Sequence, residues 1–306
     1  MIHLAGQVVV ITGAGRGIGR SHALAFAARG ARVVVNDLGV TYDGTRESTS
    51  PADSVVEEIH RAGGEAVADY NDVSAWDGAN GLLESALRAF NRADTLVNNA
   101  AIIRPSPLTD TAESDLDDVL RVNVKGTFAP LRVFASHWQQ EGPRSAAQRG
   151  RSIICTTSRV GFRPAPYYVT YGLTKAAVAY LVEGAAAELS NLGIRVNGIA
   201  PRADTRMMGD ATRRLSEIAG TAGIAGVFGD PAAVERPPEP AESISPLVLW
   251  LASDGAHAVT GATFAVMAGR IALLDGRHER SVFALPLSHT PEDVHMALGS
   301  LAHLAT

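Results

Sequence analysis

The sequence holds one cysteine, Cys155, in 306 residues. That excludes an intrachain disulfide and any metal site built from several thiolates. Lysine is nearly as scarce: of 27 basic side chains only Lys125 and Lys175 are lysine, and the rest are arginine. No dense basic run occurs, and the formal net charge is −5, which argues against a nucleic-acid partner. No apolar run is long enough to cross a bilayer, so no membrane partner is expected. An aliphatic strand pattern begins close to Met1 and leaves no room for a signal peptide, so the expected location is cytoplasmic. The nine histidines form no HxxxH or HxH pair beside acids, and no metal site is expected.

What is present is alternation. Short aliphatic runs predict strands at Val8–Thr12, Arg32–Asp37, Glu65–Asp69, Asp94–Asn98, Ser152–Thr157, Arg195–Ile199 and Thr263–Val266. Helical patterns between them predict helices at Gly17–Arg29, Ala52–Arg61, Ser74–Phe90, Glu113–Gln139, Thr170–Asn191 and Ala241–Ala252. Apolar, Val/Ile-rich strands alternating with helices imply a parallel sheet covered on both faces. The expectation is an α/β fold: a single doubly wound domain over 1–306 with a parallel sheet of about seven strands flanked by helices. Three segments break the rhythm. Residues 141–151 read as an exposed loop. Residues 202–240, rich in Gly, Ala, Arg and Pro, read as a flap, with Ile218, Ile224, Val227 and Phe228 as apolar members. Residues 270–306 read as a C-terminal extension, with a helix start at Thr290 and Pro291.

Directly after the first strand comes TGAGRGIG, residues 12–19. It is neither GxGxxG nor a Walker loop; the spacing that fits is TGxxxGxG, on Thr12, Gly13, Gly17 and Gly19. Glycines there permit positive φ and close backbone approach, and the following helix offers unpaired N–H groups to a pyrophosphate. Asp37 ends the second strand pattern, VVVND, where a carboxylate can accept hydrogen bonds from ribose hydroxyls. Arg16 pulls the other way, since a cation in this loop suits an additional phosphate.

Tyr171 and Lys175, in YGLTK, lie four residues apart and so share one face of a helix. A free phenol has a pKa of about 10, and an adjacent ammonium is expected to lower it. The pair is thus a candidate general acid/base. In a chain that otherwise uses arginine, a lysine at this position points to a need for a compact, tunable ammonium.

Taken together, TGAGRGIG, LVNNA (96–100), VNVKG (122–126), IICTTS (153–158), YGLTK and RVNGIAP (195–201) occur in the order seen in the short-chain dehydrogenase/reductase family, which the chain resembles along most of its length. The resemblance implies a Rossmann-like fold and an enzyme acting on CH–OH groups. It singles out Ser158, thirteen residues before Tyr171, and with it Asn123, Tyr171 and Lys175 as the catalytic set. In that set Ser158 holds the substrate oxygen, Tyr171 transfers the proton, Lys175 binds the nicotinamide ribose and Asn123 orders a water relay. The cofactor-binding residues it implies are Gly13, Arg16, Gly17, Ile18, Gly19, Asp37, Asp72, Val73, Asn98, Asn99, Tyr171, Lys175, Pro201 and Thr205. Departures from the family pattern are Ala101, where NNAG has glycine, and Arg202 after Pro201.

A narrower resemblance, carried by VVVNDLG, VVEEIHRAGGEAVADYNDV, IAPRADTRM, SPLVLWLAS and HTPEDV, is to the dehydrogenase part of peroxisomal multifunctional enzymes. That subgroup oxidises (3R)-hydroxyacyl-CoA thioesters with NAD, and some members accept hydroxysteroids. The longer 206–240 segment sets this chain apart. The expected cofactor is therefore NAD, with NADP the alternative. The expected substrate is a hydrophobic secondary alcohol or ketone, with an NADP-dependent biosynthetic ketoreductase or a non-catalytic dinucleotide-binding protein as alternatives. Ala-rich helical faces suggest a homodimer or homotetramer.

Overall fold

The computed structural model describes residues 2, 4–40, 49–142, 150–228 and 240–274, with side chains described up to residue 218 in the helix that begins at Arg206. Eight strands form one sheet: β1 (Val8–Thr12), β2 (Arg32–Asn36), β3 (Glu65–Asp69), β4 (Thr95–Asn98), β5 (Arg151–Thr156), β6 (Ile194–Pro201), β7 (Thr263–Met267) and β8 (Arg270–Leu274). Their order is β3-β2-β1-β4-β5-β6-β7-β8. The first seven in the chain pair in parallel, and β8 runs antiparallel to β7. The eighth strand corrects the expected count of about seven. It lies where the sequence read as extension, and a two-residue turn with Gly269 at φ 70 folds it back.

Among the described residues eight α-helices accompany the sheet: α1 (Gly17–Ala27), α2 (Pro51–Arg61), α3 (Trp76–Phe90), α4 (Glu113–Val119), α5 (Gly126–Glu141), α6 (Val169–Leu189), α7 (Arg206–Phe228) and α8 (Ser245–Ala252). Strand side chains alternate between two cores, as a period of two requires. Val9 and Ile11 of β1 join Phe26, Ile59 and Leu251 on one face, while Val8 and Val10 join Leu82, Phe134, Trp138 and Val182 on the other. Burial on both faces explains why the strands read as continuous aliphatic runs.

Three expectations are revised. The helix expected over 113–139 is interrupted by a π segment at Leu120–Lys125. Thr127 Oγ1 caps the Asn123 carbonyl, and Pro130, inside α5, supplies no N–H to the ladder. The flap at 202–240 holds a 23-residue helix, α7, so its Gly- and Ala-rich composition concealed a continuous element. The loop expected to run to residue 151 ends sooner. Arg151 starts β5 and is 3% exposed, with its guanidinium donating to the carbonyls of Trp138 and Gly142 at the end of α5. A cation there satisfies orphan carbonyls and complements the helix dipole. The helix start at Thr290–Pro291 lies outside the described residues, as do the side chains of Ile224, Val227 and Phe228.

One buried group sets a pH limit on this packing. His22 of α1 has no exposed surface, and its Nδ1 lies 2.9 Å from Ser245 Oγ at the start of α8. Burial lowers its pKa from 6.5 to about 3. Between those values the unfolded chain binds a proton that the folded chain does not, so His22 costs stability as the pH falls below about 6.5. Replacing it by Asn should flatten the acid side of the stability curve by roughly 1 kcal/mol per pH unit. Urea unfolding at pH 5 and pH 7 measures this: parallel pH dependence in wild type and His22→Asn would mean that His22 does not set the limit.

Candidate active site

Strand order reverses between β1 and β4, which leaves a crevice at the carboxyl ends of the strands. Thr12 closes its floor. Its Oγ1 accepts from the N–H groups of Asn99 and Ala100, both at 3.0 Å, and the Asn99 side-chain amide donates back to the carbonyls of Thr12 and Gly13. Gly13 (φ 61) therefore lies directly on Ala100, and a Cβ at 13 would meet Ala100 Cα at 2.8 Å. Gly19 is more confined still: a Cβ there would stand 2.2 Å from the Gly13 carbonyl oxygen and 2.6 Å from Asn99 Nδ2. The first bond of α1 runs from Arg20 N–H to Arg16 O. The N–H groups of Gly17, Ile18 and Gly19 precede it and have no intrahelical acceptor, as in the first turn of any helix.

Asp37 follows β2 and is held over the loop. Its Oδ2 accepts from Gly15 N–H at 3.0 Å and its Oδ1 from Gly39 N–H at 2.9 Å. Arg16 lies near both Asp37 and Arg206 of α7; burial and Arg206 lower its pKa, and Asp37 opposes them. Thr205, just ahead of α7, is close enough that a Cβ on Gly17 would touch its methyl at 3.5 Å. Asp72 caps the approach to α3 through Ser74 N–H and Oγ and faces Arg121 at 3.5 Å, beside buried Val73. Asn98 is placed differently from Asn99: it is 3% exposed and donates to Thr127 O in the first turn of α5. Pro201 ends β6, paired with Val266 of β7.

A second cluster completes the crevice. Lys175 of α6 is 1% exposed, its Nζ donates to Thr156 O at 2.8 Å, and it stands 5.5 Å from the centre of the Tyr171 ring. Gly161 makes this approach feasible, since a Cβ there would lie 2.7 Å from the Lys175 carbonyl carbon. Asn123, in the π segment, is fully buried and fully engaged: Oδ1 accepts from Ile102 N–H, while Nδ2 donates to Ile102 O and Thr174 Oγ1. Its side chain ties the loop after β4 to α6 and so positions the neighbours of Tyr171.

The electrostatics differ from the sequence expectation. Burial raises the Tyr171 pKa above its ordinary value, and the hydrogen bond with Ser158 only partly offsets this. Burial also lowers Lys175 to about 8. The ammonium does not pull the phenol down as expected, because the same desolvation that weakens the phenolate weakens the ammonium. Cys155, behind Lys175, is pushed up to about 12 by burial and is an inert core thiol.

Some contributors were not legible in the sequence. Asn36 and Asp69 form a buried pair at 2.6 Å that fixes the ends of β2 and β3 under Asp37. Met207, Ala211 and Leu215 of α7, spaced by four, close an apolar cluster with Ile103, Tyr167, Tyr168 and Tyr171. The four-residue spacing was the available signal, masked by the surrounding glycines.

The donor set fits a dinucleotide. The first turn of α1 leaves amides without intrahelical acceptors, glycines at 13 and 19 let the loop pack directly on Asn99 and Ala100, and the Asp37 carboxylate sits against Gly15 of the same loop. Fold and site thus define a dinucleotide-dependent α/β oxidoreductase. The short chain dehydrogenase family model matches residues 7–215, and the chain belongs to the short-chain dehydrogenase/reductase family. Peroxisomal multifunctional enzyme type 2 of Mus musculus is 36% identical over 280 residues, 92% of this chain. The chain spans only 34% of that protein, and 32% of its Drosophila melanogaster counterpart. A 3-oxoacyl-(acyl-carrier-protein) reductase of Staphylococcus epidermidis is 35% identical, with 85% of this chain and 97% of that one covered. The crystal structure of a short chain dehydrogenase from Mycobacterium avium superposes with a TM-score of 0.80 at 38% identity, covering 99% of this chain and 96% of that one.

The confinement of Gly19 is directly testable. Gly19→Ala should weaken dinucleotide binding by about 5- to 150-fold, because an overpacked Cβ costs on the order of 1–3 kcal/mol in the loop. Titration of reduced dinucleotide fluorescence reads the effect. Wild-type affinity in the variant would mean that the loop relaxes freely.

Proposed function

We propose that the enzyme interconverts a hydrophobic secondary alcohol and its ketone with NAD. The observation that carries the reading is the grouping of Ser158, Tyr171 and buried Lys175 at one end of a cradle that Asp37 guards. The dinucleotide supplies the hydride acceptor. Ser158 holds the alcohol oxygen by a hydrogen bond. Tyr171 Oη, once its own proton has passed to solvent, takes the hydroxyl proton in oxidation; as the phenol it donates that proton to the carbonyl oxygen in reduction. Lys175 stands close to the ring and stabilises negative charge on the phenol oxygen as it develops. Asn123 keeps α6 and the loop after β4 in register.

Substrate class follows from the walls. Met207 and Tyr167, partly buried, lie with Tyr171 over a buried apolar cluster of Ile103, Ala211 and Leu215. They suit a bulky hydrophobic skeleton, with a 3-hydroxyacyl thioester or a hydroxysteroid as leading candidates. The likeness to a 3-oxoacyl-(acyl-carrier-protein) reductase supports that chemistry. A homodimer or homotetramer is part of the proposal. Phe128 on α5 and Leu173 and Tyr180 on α6 are exposed apolar residues on two adjacent helices.

Arg16 and Arg206 support one second reading, an NADP-dependent ketoreductase, since two cations near the loop favour an extra phosphate. Asp37 argues against it. A 2′-phosphate charge at 4 Å from a carboxylate is repelled by about 4 kcal/mol at an effective dielectric near 20. A residual of about 2 kcal/mol after screening and the arginines is still roughly 30-fold.

Steady-state kinetics with both cofactors tests the proposal. Wild type should favour NAD by at least about tenfold in kcat/KM, and Asp37→Ala should narrow or reverse that preference. A wild-type preference for NADP would give the specificity to Arg16. In the same assay Tyr171→Phe should lower kcat by about 10²-fold or more with dinucleotide affinity retained, the range for a lost general acid/base. Undiminished turnover would remove Tyr171 from the chemistry.

A further inference from the structure

Tyr167 has a left-handed backbone, φ 65. Among the described residues only one other non-glycine shares that region, Asn91, which ends α3 as a left-handed cap. Asparagine tolerates such a cap, but a tyrosine there is held against its local preference. The surroundings hold it through main-chain groups. Tyr167 O accepts from Ser106 N–H at 3.1 Å, Tyr168 N–H donates to Ala165 O, and Gly172 N–H donates to Tyr168 O at 2.7 Å. Glycine or asparagine would keep every one of these bonds without the strain. The backbone therefore gives no reason for a tyrosine, and the side chain must supply it.

That side chain is partly buried against Ile103, Tyr168, Ala211 and Leu215, in the company of Tyr171 and Met207. It differs from its neighbour Tyr168, which is 3% exposed and fills the interior. The ring thus reaches the cluster that holds the Tyr171 ring on one side and the first turn of α7 on the other. It is a half-buried aromatic ring packed on the same cluster as Tyr171, the proposed proton-transfer residue.

Resting on the function proposed above, we infer that Tyr167 is a specificity-determining residue, whose ring packs on the carbon skeleton of the alcohol or ketone and selects bulky, ring-bearing skeletons over short chains. Aromatic faces gain most from flat apolar partners, and packing on the cluster orders the ring before substrate arrives.

The test compares Tyr167→Asn, which accepts the left-handed backbone and removes the ring, with Tyr167→Phe, which keeps the ring. Both are assayed with NAD against 2-butanol, 2-octanol and a fused-ring hydroxysteroid. In Tyr167→Asn the KM for the fused-ring alcohol should rise about tenfold more than that for 2-butanol, the scale on which a pocket discriminates apolar groups. KM for NAD should hold, and Tyr167→Phe should restore the fused-ring KM. Equal shifts for all alcohols, or a parallel rise in KM for NAD, would make Tyr167 a structural residue and overturn the inference while leaving the proposed function standing. Failure of wild type to turn over any bulky alcohol would overturn both.

Discussion

A lysine ammonium removed from water sets the terms for the rest of the site. Lys175 is 1% exposed with one strong acceptor, Thr156 O, at 2.8 Å. Burying a cation this way is unfavourable unless its partner is immobile. Immobility comes from the sheet, because Thr156 ends β5 between β4 and β6. It also comes from Gly161, whose missing side chain lets the segment before α6 lie against the Lys175 backbone. Tyr171, one turn earlier, inherits that rigidity. In the proposed chemistry the pair's burial has a use: a phenol held protonated beside a cation of lowered pKa is ready to exchange a proton only when substrate and cofactor supply the field.

The cofactor half of the crevice obeys a different constraint, close approach of backbones. Thr12, Gly13 and Gly19 pack onto Asn99 and Ala100 so tightly that no side chain fits at 13 or 19. The same contact seals β1 to β4 at the point where strand order reverses. Stability and cradle geometry are therefore one feature, since the glycines that shape the loop also allow the sheet to close beneath it. Asp37 is held by two backbone amides, and the buried Asn36–Asp69 pair sits below it. A carboxylate so fixed presents its remaining lone pairs at a constant place, which is what discrimination between a diol and a phosphate requires.

The helix α7 joins the two halves. Its first turn adjoins the glycine loop through Thr205 and Gly17, and its apolar stripe covers Tyr171 and Tyr168. One element thus touches both the loop assigned to the dinucleotide and the cluster assigned to the substrate. Arg16 and Arg206, brought near each other by this packing, give the loop a positive edge opposite Asp37.

By itself the sequence determined the α/β class and the positions of seven parallel strands within one or two residues, and it marked the glycine loop and the Tyr171–Lys175 pair as candidates. Those features are local: aliphatic runs, glycine spacing and an i,i+4 pair are written in consecutive residues. Tertiary structure alone decided the rest. The π segment at 120–125 exists because Asn123 meets Ile102 and Thr174, residues 21 and 51 positions away. The pKa direction at Tyr171 depends on burial, which no spacing reports. Helix α7 was hidden by its glycines until its stripe found Ile103 and Tyr168. Tyr167 looked like one of two adjacent tyrosines, and only the fold bent its backbone to φ 65. Each is a consequence of groups far apart in the chain sharing one small volume, where packing and desolvation outweigh local preference.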